Sequence, residues 1–248
     1  MNLEAFFKEN PRAAIAFSGG VDSAYLLYAA VQYGAEARAY YVRSQFQPEF
    51  ELEDAKRLTD ELGVDMKILA LDVLCSHDIA SNPPDRCYHC KMQIFTAIQE
   101  AALQEGFHLL LDGTNASDDS SERPGMRALR ELSVRSPLRE CGLSKSDVRR
   151  LSKEAGLFTH DKPAYACLAT RIPVGEAITN EKLACIEATE SWLKQLGLRD
   201  FRVRTQETTA KLQLRESDLD LVIQNRERIV KYFKQYYDNI LLDLEVKT

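Results

Sequence analysis

The chain has 248 residues, 45% of them hydrophobic and 28% charged, with a formal net charge of −6. That is enough apolar side chain for a real core in one large α/β domain, or one domain with a smaller appendage, and no apolar run is long enough to span a bilayer. From Arg171 onward basic and acidic residues balance at 13 each, so the whole deficit lies in the first 170 residues; neither part has the basic excess that binding a nucleic-acid backbone requires.

The opening "MNLEAFFKENPRAA" lacks the basic, apolar, small-residue succession of a signal peptide, so a cytoplasmic chain is expected. Its first strand is expected in "AAIAF" (13–17), followed by a helix over 21–33 that Gly34 ends. "AEARAYYVRS" reads as a second strand, "PEFELEDAKRLTDELG" as a helix stopped by Gly63, and "VDMKILALD" as a third strand. A long helix is expected over 86–105 with Gly106 as its end, then a fourth strand in "FHLLLDGTN". "SVRSPLRE" (133–140) reads as a short extended segment, and "SKSDVRRLSKEAG" as a helix with Ser144 as N-cap. Strands alternating with helices of this length imply a doubly wound α/β fold with a parallel sheet. Ligands of such sheets bind outside the carboxyl ends of the strands, which is where "SGGVDS", "VRSQ" and "DGTN" fall.

Beyond "TRIPVGEAIT" the texture changes. A helix over about 180–196, strands in "LRDFRVRTQ" and "TAKLQL", a helix over about 216–236 and a last strand in "NILLDLEV" suggest a small α+β domain. The expected domains are therefore 1–172 and 173–248.

"AFSGGVDSAYLL" carries the clearest chemistry. Gly19 and Gly20 let the backbone turn off the strand and approach a ligand, and the following helix aims its free amides and positive end at that turn. Ser18 and Ser23 offer hydroxyls to phosphate oxygens, and Asp22 is suited to hold Mg²⁺ against them. The loop has neither the Lys-Ser/Thr ending of a Walker A loop nor a GxGxxG spacing. Its SGGxDS pattern after a strand resembles the pyrophosphate loop of the N-type ATP pyrophosphatases, which cleave ATP between the α and β phosphates and adenylate their substrates. The resemblance implies that ATP contacts Phe17, Ser18, Gly19, Gly20, Val21, Asp22 and Ser23. It also implies adenine near Val42–Ser44, and Gly113, Thr114 and Asn115 near the nucleotide.

Six cysteines occur, and in a reducing compartment they are expected as thiols, ligands or catalysts rather than staples. Cys75, Cys141 and Cys185 sit in ordinary surroundings and read as packing residues. Cys87 and Cys90, three apart in "DRCYHCK", are open to a zinc site that takes Cys167 as well and His89 or His160 as its fourth ligand, a redox disulfide or inert packing.

The stretch "KPAYACLATRIPVG", with the early loop and the small C-terminal domain, resembles the LarE family along essentially the entire chain. That resemblance implies an ATP-dependent sulfur transferase that adenylates carboxylates of a pyridinium dicarboxylate mononucleotide and converts them to thiocarboxylates. Some members sacrifice the sulfur of the cysteine matching Cys167, leaving dehydroalanine. Others resemble this chain in having a CxxC besides, and the likeness implies a 4Fe–4S cluster on Cys87, Cys90 and Cys167, with a fourth iron open to exogenous sulfide. It further implies a homo-oligomer, a hexamer of trimer-related units.

Arg171, four residues after Cys167, is expected to touch substrate or nucleotide, with Lys162 a weaker candidate. Arg202 and Arg204 share one strand face and resemble the family's anion-binding pair, with Glu190 near them. Arg123, Arg127, Arg130, Arg135 and Arg139 form a basic stretch suited to phosphate. Other readings of the loop and cysteines are a cluster-dependent tRNA 2-thiolation enzyme, a noncatalytic nucleotide-binding regulator and an ammonia-using amide ligase.

Overall fold

The computed structural model describes residues 2–118 and 124–245; Arg123 of the basic stretch lies outside them. In chain order the elements are α1 (Leu3–Glu9), β1 (Arg12–Ala16), α2 (Val21–Gln32), β2 (Glu36–Arg43), α3 (Glu49–Leu62) and β3 (Met66–Ala70). Then come α4 (His77–Ala80), α5 (Arg86–Gln104), β4 (Leu110–Leu111), α6 (Pro124–Glu131), α7 (Pro137–Glu140) and α8 (Lys145–Glu154). Last are α9 (Asn180–Gln195), β5 (Phe201–Gln206), β6 (Thr209–Leu214), α10 (Leu219–Gln224), α11 (Arg226–Phe233) and β7 (Asn239–Leu242).

The chain forms two compact units, one of Met1–Val73 with Asp85–Tyr165, the other of Leu74–Pro84 with Ala166–Thr248. The division falls between residues 165 and 166, and it assigns residues 74–84 to the second unit, which no single cut near 172 describes.

In the first unit four parallel strands lie in the order β3-β2-β1-β4. Successive side chains on a strand point to opposite faces, and both faces are apolar here. Ala13, Ile15, Ala39 and Tyr41 pack with α1, α2, α3 and α8 in one core. Ala14, Tyr40 and Val42 pack with Phe95, Ile98 and Ala102 of α5 and Leu129 of α6 in another. This is the doubly wound parallel sheet expected of an N-type ATP pyrophosphatase, with a second, smaller sheet elsewhere in the chain. α3 ends on Gly63 in the left-handed region, at φ 64°, as an αL cap requires. Ser144 opens α8 with a full capping box closed by Asp147, which satisfies two otherwise unpaired amides.

Three expected elements come out differently. The fourth strand shrinks to Leu110–Leu111. Beyond it the polar side chains bond locally instead of joining the ladder: Thr114 donates to Asp112, and the Ser117 amide donates to Asn115 Oδ1. The extended segment over 133–140 keeps only a bridge from Arg135 to Leu111; Pro137 then starts α7 from the first helical turn, where it fits. The helix expected over 216–236 is broken at Asn225, whose side chain donates to the Leu221 carbonyl at 2.9 Å. α1, which the sequence reading passed over, is capped by Asn2 and buries Phe6 and Phe7.

The second unit holds a three-stranded sheet ordered β5-β6-β7, with β5 antiparallel to β6 and β6 parallel to β7. Its core joins Leu193 of α9, Phe201, Val203 and Leu212 of the sheet and Phe233 of α11. Asn82 is fully buried and donates to the Pro173 carbonyl at 2.7 Å and the Ile172 carbonyl at 3.3 Å. That ties residues 74–84 to the start of the C-terminal segment. No helix among the described residues is long and apolar enough to cross a membrane.

One polar cluster braces the parallel sheet from below. Lys67, Tyr40 and Arg38 donate to the Glu105 carboxylate at 2.7, 2.6 and 2.7 Å. Chiefly through Lys67, and then Tyr40, they hold its pKa down at about 2, from an ordinary 4.5. A folded-state value below the unfolded one stabilises the fold above the unfolded pKa, and the gain is lost as pH falls through the folded value. Glu105→Gln is therefore expected to cost about 2 kcal/mol near neutrality. In urea denaturation the gap to wild type should close as pH falls from about 5 to about 2.

Candidate active site

The site of the first unit lies past the carboxyl ends of β1, β2 and β4. A cavity of ≈ 690 Å³ there is lined by Phe17, Ser18, Asp22 and Ser23 of the first loop and helix, and by Asp112, Gly113 and Thr114 after β4. Val42, Ile94, Phe95 and Ile98 give it an apolar wall, and Cys87 and Lys91 of α5 line it as well.

The loop is built from its own side chains. Ser23 Oγ lies 3.1 Å from Ser18 Oγ and donates to the Gly20 carbonyl at 3.2 Å. Gly19 adopts φ +71°, and a Cβ there would come 3.1 Å from the Glu51 carbonyl and 3.3 Å from Ala55 Cβ on α3. Glycine is thus required twice over, by conformation and by space. Gly20 caps α2 without a side chain of its own, leaving the first amides of the helix open to an anion.

Asp22, in the first turn of α2, accepts from Lys145 Nζ at 2.5 Å and from Asn115 Nδ2 at 3.3 Å. The carboxylate thus links α2, the loop after β4 and the start of α8. A divalent cation has an oxygen ligand available here once it displaces the lysine ammonium. Gly113 lies against the same helix start: a Cβ on it would meet the Ser23 amide nitrogen at 2.7 Å. Asp112 is buried, and accepts from Thr114 and, at 2.5 Å, from Ser136. Ser44, at the end of β2, donates to Gln47 Oε1 at 2.6 Å, and Gln47 lines the cavity.

Cys87 and Cys90 stand one turn apart on α5, Cys87 exposed and facing the cavity, Cys90 half-buried. Arg86, itself buried, reaches the Cys87 sulfur at 3.6 Å. His89 bonds Asp85 at 3.2 Å, and His160 Nδ1 lies 2.9 Å from the Leu157 carbonyl. Among the described residues, neither unit by itself gathers three His, Cys, Asp or Glu side chains in a metal-binding arrangement. None of the six cysteines is in a disulfide. Burial pushes the thiol pKa of Cys141 and Cys185 up, in keeping with packing roles.

Cys167 belongs to the second unit, half-buried at the cap of a 3₁₀ turn over Leu168–Arg171. Arg171, expected to touch ligand, instead has a fully buried side chain. It pairs with Glu190 of α9 through both carboxylate oxygens, at 2.8 and 3.0 Å, and donates to the Ala166 carbonyl at 2.8 Å. Its guanidinium is spent on holding the backbone on either side of Cys167. Arg204 is exposed and donates to the Thr170 carbonyl at 3.1 Å, so it grips the same turn. Arg202, on the same face of β5, donates to the Phe201 carbonyl at 2.7 Å and lies 3.7 Å from Asp200. Of the basic stretch, Arg127 stacks on Tyr88, Arg135 pairs with Glu140, and Arg139 donates to the Asp118 carbonyl.

The first unit thus gathers Phe17, Ser18, Asp22, Ser23, Cys87, Gly113 and Thr114 around one cavity, with Asn115 behind Asp22. Lys145 and Lys91 went unread in the sequence, although placing the N-cap at Ser144 already set Lys145 at the head of α8, beside the site.

The model of the queuosine biosynthesis protein QueC family matches residues 12–82, the stretch that carries the phosphate loop. An uncharacterized protein of Synechocystis sp. is 37% identical over 98% of this chain and 92% of its own length. The pyridinium-3,5-bisthiocarboxylic acid mononucleotide synthase of Lactiplantibacillus plantarum is 31% identical over 98% of this chain and 89% of that protein. The chain belongs to the LarE family. A tRNA-specific 2-thiouridylase MnmA of Thermotoga petrophila stands further off, 23% identical over 61% of this chain and 54% of its own. Like other LarE proteins, this one is an ATP-dependent sulfurtransferase of the N-type ATP pyrophosphatase superfamily, and its reaction delivers sulfur to a substrate.

Proposed function

We propose that this LarE protein adenylates the carboxylates of a pyridinium dicarboxylate mononucleotide and converts them to thiocarboxylates. The observation that carries the reading is the Cys87 thiol lining the same cavity as the Ser18–Ser23 loop, beside the relative whose name states a bisthiocarboxylic mononucleotide product. In the proposed reaction the loop amides, Ser18 and Ser23 hold the triphosphate, and Asp22 with Mg²⁺ neutralises it. A substrate carboxylate oxygen attacks the α-phosphorus, the bond to the β-phosphate oxygen breaks, and pyrophosphate leaves. Sulfur then displaces AMP from the activated carbonyl.

For the sulfur, two thiols one helical turn apart suit two corners of an iron–sulfur cubane. Cys87, Cys90 and Cys167 would hold it, and when bound it supplies a site for exogenous sulfide. The 3₁₀ turn that follows Cys167, pinned by Arg171 and Arg204, keeps the backbone at that cysteine in one conformation. Anaerobic reconstitution followed by iron counting and Mössbauer spectroscopy is expected to find about four irons per chain, and Cys167→Ala to abolish both the cluster signal and thiocarboxylate formation. Wild-type protein without iron, with Cys167 converted to dehydroalanine after turnover, would instead establish the sacrificial route.

A further inference from the structure

We propose that Lys162 is a positioning residue for the phosphate loop, acting from behind it to fix the direction of the peptide between Gly19 and Gly20. The inference rests on that loop being the triphosphate site. Lys162 Nζ donates to the Gly19 carbonyl at 3.1 Å and pairs with Asp54 of α3 at 2.6 Å, with only 14% of its side chain exposed. Its ammonium also lies 5.7 Å from the Phe50 ring. Its backbone is fixed in turn: Arg149 of α8 donates to the His160 carbonyl at 2.8 Å and the Lys162 carbonyl at 2.7 Å. The lysine is therefore anchored from two helices, and its one contact with the loop is a main-chain oxygen.

A carbonyl and the amide that follows it share one rigid plane and point opposite ways. Gly19 sits at φ +71°, where a glycine's freedom leaves that plane easily turned over. With its carbonyl held by Lys162, the Gly20 N–H is turned toward the Ser18 hydroxyl, 3.4 Å away, and Ser18 lines the cavity. Gly19, Gly20 and Lys162 are not among the described residues that line the cavity, so the lysine reaches it through Ser18. The lysine thus fixes the peptide whose amide holds the Ser18 hydroxyl at the cavity, and does not itself line it.

The test is calorimetric binding of α,β-methylene-ATP and, separately, of adenosine to the full chain, with thermal melting alongside. Lys162→Met is expected to weaken the triphosphate analogue roughly tenfold or more while leaving adenosine binding and the melting curve near wild type. Lys162→Arg, which keeps a donor and a charge, should recover most of the loss. Asp54→Asn removes the anchor of the ammonium but not the loop contact, and should give a smaller loss with the same selectivity; it serves if the methionine variant does not fold. Equal weakening of both ligands, or analogue binding at wild-type strength in Lys162→Met and Asp54→Asn, would overturn the assignment. A wild-type chain that binds no analogue would remove the nucleotide reading of the loop and this inference with it.

Discussion

Gly113→Ala is expected to lower carboxylate-dependent pyrophosphate release by about a hundredfold. The added methyl carbon would stand 2.7 Å from the Ser23 amide nitrogen and 3.1 Å from the carbonyl carbon of Asp22. Both are main-chain atoms of the first turn of α2, with no flexible side chain to swing aside, so either the helix start or the loop after β4 has to shift. A shift there misplaces Ser23 and Asp22 at once and parts Asp22 from Asn115. The overpacking itself costs about 1–3 kcal/mol, which a domain of this size survives, so the variant should melt as a folded protein with its chemistry gone. Pyrophosphate release at the wild-type rate from a folded Gly113→Ala chain would mean that the loop after β4 takes no part in the site.

Glu190→Leu is expected to destabilise the chain by about 3–5 kcal/mol. Arg171 and Glu190 are both buried, and the carboxylate also accepts from the Val203 amide at 2.9 Å. Removing it leaves a guanidinium in the interior without its counter-charge, a much larger penalty than the net worth of the pair. Arg171→Met combined with Glu190→Leu should recover most of the loss in urea denaturation, because an apolar pair of similar volume has no charge to desolvate. The recovered protein is nevertheless expected to be impaired, since the Ala166 carbonyl loses its donor and the turn after Cys167 its inner clamp.

The alternation of strand and helix was legible because β1 and β2 bury both faces along their centres and each helix buries one, patterns that survive in residue order. The phosphate loop was legible for the same local reason: its glycines, serines and aspartate all lie within six consecutive residues. Contacts across the chain left no such trace. Lys145 meets Asp22 across 123 positions, and nothing in "LSKSDV" marks its lysine as anything but a helix-start cation. Arg171 misled because proximity to Cys167 in sequence looked like proximity to ligand, whereas the partner that decides its role is Glu190 on α9. The fourth strand was read too long because "HLLLDGTN" is apolar and polar in the right order for a strand end. The structure ends it early, since Thr114 bonds Asp112, and Asn115 bonds Asp22 and the Ser117 amide.

Residues 74–84 fold with a segment made much later. Asn82 and its acceptor Ile172 are 90 positions apart, so on the ribosome the earlier piece emerges well before its partners exist. During that interval the Asn82 amide has neither of the two carbonyls it bonds in the folded chain, awaiting the last third of translation. A fragment begun at residue 166 would lack only this insert and should prove poorly soluble, while co-expressing a peptide of residues 74–84 offers a direct route to its rescue.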